Sequence, residues 1–305
     1  MKAVVLRAYG DNDGVRIETV DRPDAGSGEL LVRVGAAGVN PIDWKIRNGA
    51  GERLGMTLPI RMGGELVGTV EALGPDVDGI VVGDIVFGMV HTGAFAEYAA
   101  VKAADFVRVP ANLDMVQAAA LPLAGTTAWQ AIFGKARLAA GQRLLVTNSS
   151  GGVGSLAVQF AHAAGAHVTA MASGRNEEFV RGLGADAFID YTREPFEEVA
   201  RDMDVVFDTV GDDTFTRAFE TLRPGGFMVT VVAFPTDEAE RYGVEVIRSF
   251  TVPSASDLTT ISNLAEAGSI VPVIDTVMPF AEIKQALARS EEGRASGKTV
   301  LSITS

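Results

Sequence analysis

The residues best suited to chemistry lie in one short run, Asn148-Ser149-Ser150-Gly151-Gly152-Val153-Gly154. An apolar segment, Arg143 to Thr147, leads into it, and a segment with Leu156, Ala157, Phe160, Ala161 and Ala164 on one helical face leads out. Glycines at such a strand-to-helix turn let backbone N–H groups close on a pyrophosphate, and the helix N-terminus adds partial positive charge. Ser150, Gly151, Gly152, Val153 and Gly154 are therefore the expected contacts. The spacing departs from G-x-G-x-x-G because Ser149 stands where the first glycine would fall, so the strand–turn–helix context carries the assignment.

A second signal comes about 20 residues further on, where a site that reads a ribose 2′-hydroxyl places Asp or Glu. This chain has Ala172-Ser173-Gly174-Arg175-Asn176 instead, with no carboxylate before Glu177. A hydroxyl and a guanidinium suit a 2′-phosphate, which Arg grips with paired charge-assisted hydrogen bonds. The expected cofactor is NADP(H) rather than NAD(H).

Composition removes other chemistries. The chain has 305 residues and no cysteine, so thiolate nucleophiles, disulfides, iron–sulfur clusters and cysteine-ligated zinc are excluded. The three histidines, His91, His162 and His167, have no zinc-ligand spacing. A net charge of −13 argues against a nucleic-acid partner. Two motif-like runs fail on context. Gly293 to Thr299 is one residue short of a phosphate loop and precedes a strand. Tyr98 and Lys102 sit in strand-like sequence, about 13 Å apart at this spacing, too far to share a proton.

The elements that must position the glycine turn follow from rhythm. Over the first hundred residues short β-rich runs alternate with turns: Leu30–Val34, Gly68–Leu73, Ile85–Phe87 and Phe95–Tyr98. From about Asp114 helices alternate with apolar strands, which signals a doubly wound parallel sheet. Its expected strands are Arg143–Thr147, His167–Ala172, Ala187–Asp190, Asp204–Thr209 and Phe227–Val232. The glycine-rich stretch Arg47 to Met56 reads as a mobile loop, and Thr230 to Ala233 as an exposed edge suited to a homodimer. The uncharged stretches 115–134 and 144–174 are broken by polar residues and glycines, so no membrane partner is expected. Without a secretory apolar run at Met1, a cytoplasmic location is expected.

Over nearly its whole length the sequence resembles the zinc-free quinone oxidoreductase branch of the medium-chain dehydrogenase/reductase superfamily. The matching stretches are Gly38-Val39-Asn40-Pro41-Ile42-Asp43, Val82 to Gly88, Ala118 to Ala128, Gly151 to Gly154, Leu183 to Asp186 and Ser296 to Leu301. The resemblance implies an α/β fold, a Rossmann doubly wound parallel sheet plus a GroES-like, mainly β catalytic domain. It assigns 1–120 and 265–305 to the catalytic domain and 121–264 to the nucleotide-binding one. Zinc-dependent relatives have cysteine at the position of Asn40 and a Gly-His-Glu motif in the region of Gly63-Gly64-Glu65, so no metal ligand set is implied. The activity implied is NADPH-dependent reduction of quinones, or of the C=C bond of α,β-unsaturated carbonyls. Ser173, Arg175 and Tyr191 would surround the 2′-phosphate, with Val210, Phe250 and Lys298 completing the cofactor contacts. Asn40 and Thr127 would lie near the nicotinamide. Lys45 stands where many relatives have tyrosine, and with Asn40 it is a candidate to stabilise the anion formed on reduction. The alternative is a non-catalytic NADP(H)-binding sensor or interaction module.

Overall fold

A computed structural model describes residues 1–303, which fall into two compact units. The first takes Met1–Leu123, Pro253–Glu266 and the chain from Pro272 onward; the second takes Ala124–Val252 and Ala267–Val271. Against the sequence division at 120/121 and 264/265, residues 121–123 and 253–264 fall in the first unit and 267–271 in the second; most of 253–264 is the helix Ala255–Glu266. That helix buries Leu258, Ile261 and Ala265, and Asn112 Nδ2 of the first unit donates to the Ala265 carbonyl at 3.0 Å. Its amphipathic pattern shows an apolar face but not which core covers it.

The strands in chain order are β1 (Lys2–Leu6), β2 (Val15–Thr19), β3 (Glu29–Val39), β4 (Ile60–Arg61), β5 (Glu65–Leu73), β6 (Ile85–Met89), β7 (Tyr98–Lys102) and β8 (Phe106–Arg108). There follow β9 (Arg143–Val146), β10 (His167–Ala172), β11 (Ala187–Asp190), β12 (Met203–Asp208), β13 (Leu222–Thr230) and β14 (Glu245–Arg248). The chain then returns to the first unit with β15 (Ile274–Pro279) and β16 (Lys298–Ser302).

In the second unit six parallel strands run in the order β11-β10-β9-β12-β13-β14. Leu144, Leu145 and Val146 of β9 are fully buried, as a central parallel strand covered on both faces requires. The winding reverses between β9 and β12, so a crevice for ligand lies outside their carboxyl ends. The helix Gly152–Ala163 follows β9 and buries Leu156, Ala157, Val158, Phe160 and Ala161. It stops at Gly165, whose φ of 78° lets its N–H turn back to the His162 carbonyl at 2.9 Å.

One expectation fails here. Thr230 ends an interior strand, because β14 pairs along β13 from Phe227 opposite Glu245 to Thr230 opposite Arg248. The open edge on that side is β14. Its residues are half-buried or exposed and present no apolar run for the sequence to reveal.

The first unit has a small sheet, β2-β1-β4, and a larger one, β15-β16-β3-β5-β6-β8, with β7 also on β3. β3 is the spine, with Leu30, Val32, Val34, Ala37 and Val39 buried. β16 runs antiparallel to it with Thr299 opposite Val39, and β5 does so with Val67 opposite Ala36. These registers bring the residues just beyond β3, at the start of β5 and at the start of β16 to one end of the sheet.

The expected loop at 47–56 is largely helical instead: a wide turn at Ile46–Ala50, bent at Gly49 (φ 102°), runs into Gly51–Arg53. Arg47 pins it. The buried guanidinium donates to Asn12 Oδ1 and Glu291 Oε2, each at 2.5 Å. Among the described residues, no helix is long and apolar enough to cross a membrane.

Candidate functional site

The glycine turn is built by local necessity. Asn148 adopts a left-handed φ of 50°, and its carbonyl accepts the Gly151 N–H at 3.1 Å. A Cβ on Gly154 would sit 2.2 Å from that carbonyl oxygen, so only glycine lets the helix pack this close to the turn. Ser149, at the place of the missing first glycine, is fully buried. Its hydroxyl donates to the Val146 carbonyl at 2.8 Å and accepts from the Met171 N–H at 3.0 Å, which ties β9 to β10.

Gly151 caps the helix Gly152–Ala163 without a side chain, and the first turn carries no acidic residue. The N-terminal N–H groups of Gly152, Val153 and Gly154 therefore have no intrahelical carbonyl and no competing carboxylate. This cradle fits the pyrophosphate of a dinucleotide.

Beyond β10, Ser173 is half-buried and Arg175 is exposed. Asn176, between that loop and the next helix, is buried; its Nδ2 donates to Ser150 Oγ at 3.1 Å and to Ser173 Oγ at 3.2 Å. Sequence reasoning passed over Asn176, and also Asp190 at the end of β11. A Cβ on Gly174 would lie 2.3 Å from Asp190 Oδ2. The Asp190 carboxylate is occupied within its own loop, accepting from the Thr192 hydroxyl at 2.7 Å and the Thr192 N–H at 3.0 Å. These bonds, led by the Thr192 hydroxyl, with the Gly174 N–H and Arg193 assisting, hold its pKa below the ordinary carboxylate value. Tyr191, next in the chain, is exposed.

At the crevice itself, fully buried Asp208 organises the end of β12. Its Oδ1 accepts the N–H groups of Val210 (3.1 Å) and Gly211 (3.0 Å), while Oδ2 accepts the Thr230 hydroxyl at 2.7 Å. Val210 is thereby held exposed. Phe234 and Phe250, following β13 and β14, are also exposed, and between them lies the Arg248 guanidinium, 3.6 Å from the Phe234 ring centre and 5.0 Å from that of Phe250. Thr127, buried in the same unit, shares a 2.7 Å hydrogen bond with the Thr251 hydroxyl.

The first unit holds a buried polar cluster of its own. Glu65 is fully buried, and its Oε1 takes the Lys298 ammonium at 2.6 Å and Asn40 Nδ2 at 2.7 Å. Its Oε2 accepts the Leu123 N–H at 2.7 Å. Lys298 also donates to Asn40 Oδ1. A Cβ on Gly38 would lie 2.2 Å from Glu65 Oε1, so glycine there makes room for the carboxylate. The Asn40 N–H donates to Asp43 Oδ2 at 2.7 Å. Burial pushes the Asp43 carboxyl up to about 7, against the Asn40 N–H and the Lys298 charge, which favour ionisation. The resemblance placed Lys298 on the cofactor; the structure engages its ammonium with Glu65 and Asn40. Lys45 is half-buried, with its ammonium 5.5 Å from the centre of the Trp44 ring. Among the described residues no group of three or more His, Cys, Asp or Glu side chains is arranged to hold a metal ion.

A doubly wound sheet of this strand order with an open glycine turn at its first helix defines a dinucleotide-binding fold. The comparisons are specific. Residues 26–111 match the alcohol dehydrogenase GroES-like domain and residues 183–301 the zinc-binding dehydrogenase domain. The chain is 35% identical to the 2-methylene-furan-3-one reductase of Solanum lycopersicum, over 99% of this chain and 79% of that protein. It is also 35% identical to the chloroplastic NADPH-dependent alkenal/one oxidoreductase of Arabidopsis thaliana, with the same coverage. The solved quinone oxidoreductase from Coxiella burnetii superposes with a TM-score of 0.91 at 30% identity, over 100% of this chain and 99% of that one. The chain belongs to the medium-chain dehydrogenase/reductase superfamily, in its zinc-free quinone oxidoreductase branch. It is an oxidoreductase that uses a nicotinamide cofactor.

Proposed function

We propose that this enzyme uses NADPH to reduce quinones or the C=C bond of α,β-unsaturated carbonyls without a metal. The observation that carries the cofactor choice is the loop after β10. It offers Ser173 and the exposed Arg175 where a 2′-hydroxyl-reading site would aim a carboxylate, and Asp190 is already held by Thr192 and Gly174. The names of the relatives support the substrate class. When bound, the nicotinamide supplies a hydride. The chain's own residues hold and orient. Gly151 to Gly154 present N–H groups to the pyrophosphate, and Ser173, Arg175 and Tyr191 serve the 2′-phosphate. Val210 and Phe250 offer apolar surface at the crevice, and Thr127 is kept in place by Thr251. In the first unit Asn40 is fixed by Glu65 and Lys298, and Lys45 carries a positive charge suited to a developing enolate or hydroquinone anion. We further propose a cytoplasmic homodimer, with the open edge of β14 as its pairing surface.

The test is Arg175→Ala. Loss of hydrogen bonds to a charged group weakens NADPH by roughly 10- to 150-fold, while NADH binding is little affected. Equal losses for both cofactors would overturn the phosphate assignment. NADPH oxidation over a panel of quinones and enones tests the substrate class; turnover of neither would refute it.

A further inference from the structure

We propose that Asn176 is the positioning residue for the 2′-phosphate: its amide clamps Ser150 of the glycine turn to Ser173 after β10 and leaves both hydroxyl protons to a bound anion. The inference rests on the NADPH reading above and deepens it.

The argument is one of donor and acceptor counting. A primary amide nitrogen has two protons, and those of Asn176 go one to Ser150 Oγ at 3.1 Å and one to Ser173 Oγ at 3.2 Å. A serine hydroxyl has one proton to give and two acceptor sites. Each serine here uses one acceptor site for Asn176 and spends no proton on it, so its O–H can be given to an anion. Two hydroxyl donors are therefore presented from the loops that follow the neighbouring strands β9 and β10. Those are the loops to which the pyrophosphate and the 2′-phosphate are assigned.

The clamp is rigid. Asn176 is 9% exposed and Ser150 5% exposed, and the Asn176 main-chain N–H is itself bonded to the Ser173 carbonyl at 2.8 Å. A residue of the same shape but opposite polarity would reverse the arrangement. With an aspartate at 176 both serines would have to donate inward and would turn lone pairs, beside a new negative charge, towards the phosphate. Arg175 supplies charge to the ligand; Asn176 acts on it through the serines.

Calorimetric titration with 2′,5′-ADP and with 5′-ADP isolates the effect from catalysis. The wild type should prefer 2′,5′-ADP. Asn176→Asp should shrink that preference by about tenfold or more, the scale of a lost hydrogen bond to a charged group, and Asn176→Ala should fall between the two. Should both variants fail to fold, Ser150→Ala decides, because it removes one anchor of the clamp at a residue assigned to the pyrophosphate and must still erode the preference for 2′,5′-ADP over 5′-ADP. An unchanged preference in a folded Asn176→Asp, or in Ser150→Ala, overturns the clamp while the NADPH reading stands. A wild type without preference overturns both.

Discussion

Lys298→Met removes the cation from a carboxylate that has no access to water. Glu65 would retain two neutral donors, the Leu123 N–H and Asn40 Nδ2, both at 2.7 Å, and lose the ammonium at 2.6 Å. Removing one partner of a buried pair leaves an uncompensated charge and costs about 3–5 kcal/mol. For a unit of this size each kcal/mol moves the midpoint by about 2–4 °C, so the first unit should melt roughly 6–20 °C lower. The double variant Glu65→Gln/Lys298→Met removes both charges and leaves an amide oxygen for the Leu123 N–H, and should recover most of the loss. Scanning calorimetry on wild type, single and double variants provides the comparison, with NADPH affinity measured on each well below its transition. Two results would refute the reasoning: a single variant that melts with the wild type, or a double variant no better than the single. An unmoved midpoint accompanied by lost NADPH affinity would restore Lys298 to the cofactor.

Two further outcomes follow from the same geometry. Gly154→Ala places a Cβ 2.2 Å from the Asn148 carbonyl oxygen, whereas Gly151→Ala meets only the movable Asn148 amide at 2.8 Å. The former should cost about 1–3 kcal/mol of overpacking, read as a lower midpoint and a raised NADPH Kd, and the latter clearly less. Asp43 has its folded pKa raised from 3.8 to about 7, so its contribution is full below the unfolded value and is lost as pH rises through about 7. Asp84, Asp190 and Glu197, with lowered values, work the other way, losing stability as pH falls. The difference in urea midpoint between wild type and Asp43→Asn across that window therefore isolates the buried carboxyl. A difference that does not change with pH would show that Asp43 is not the titrating group.

The glycine turn, β9, β10 and the Ser173–Arg175 loop were legible because each is local: a few neighbouring residues set the strand, the turn and the helix. The buried cluster was not. Asn40, Glu65 and Lys298 meet only through the registers of β3, β5 and β16, and the spacing between residues 65 and 298 says nothing of that. The resemblance implied a cofactor contact for Lys298, and its pairing with Glu65 and Asn40 had no sequence signal at all. β14 was missed because half-buried residues make no apolar run. Asn176 and Asp190 were missed because side-chain bonds across loops leave no periodic trace.

β16 carries a consequence for synthesis. It lies beside β3, near the start of the chain, yet it is translated after all of Ala124–Val252. A nascent polypeptide can thus finish nearly all of its nucleotide-binding half while the earlier half still lacks a strand and Glu65 still lacks its cation. The half that begins first is completed last, and until then its sheet presents a bare margin along β3 that a chaperone is suited to shield.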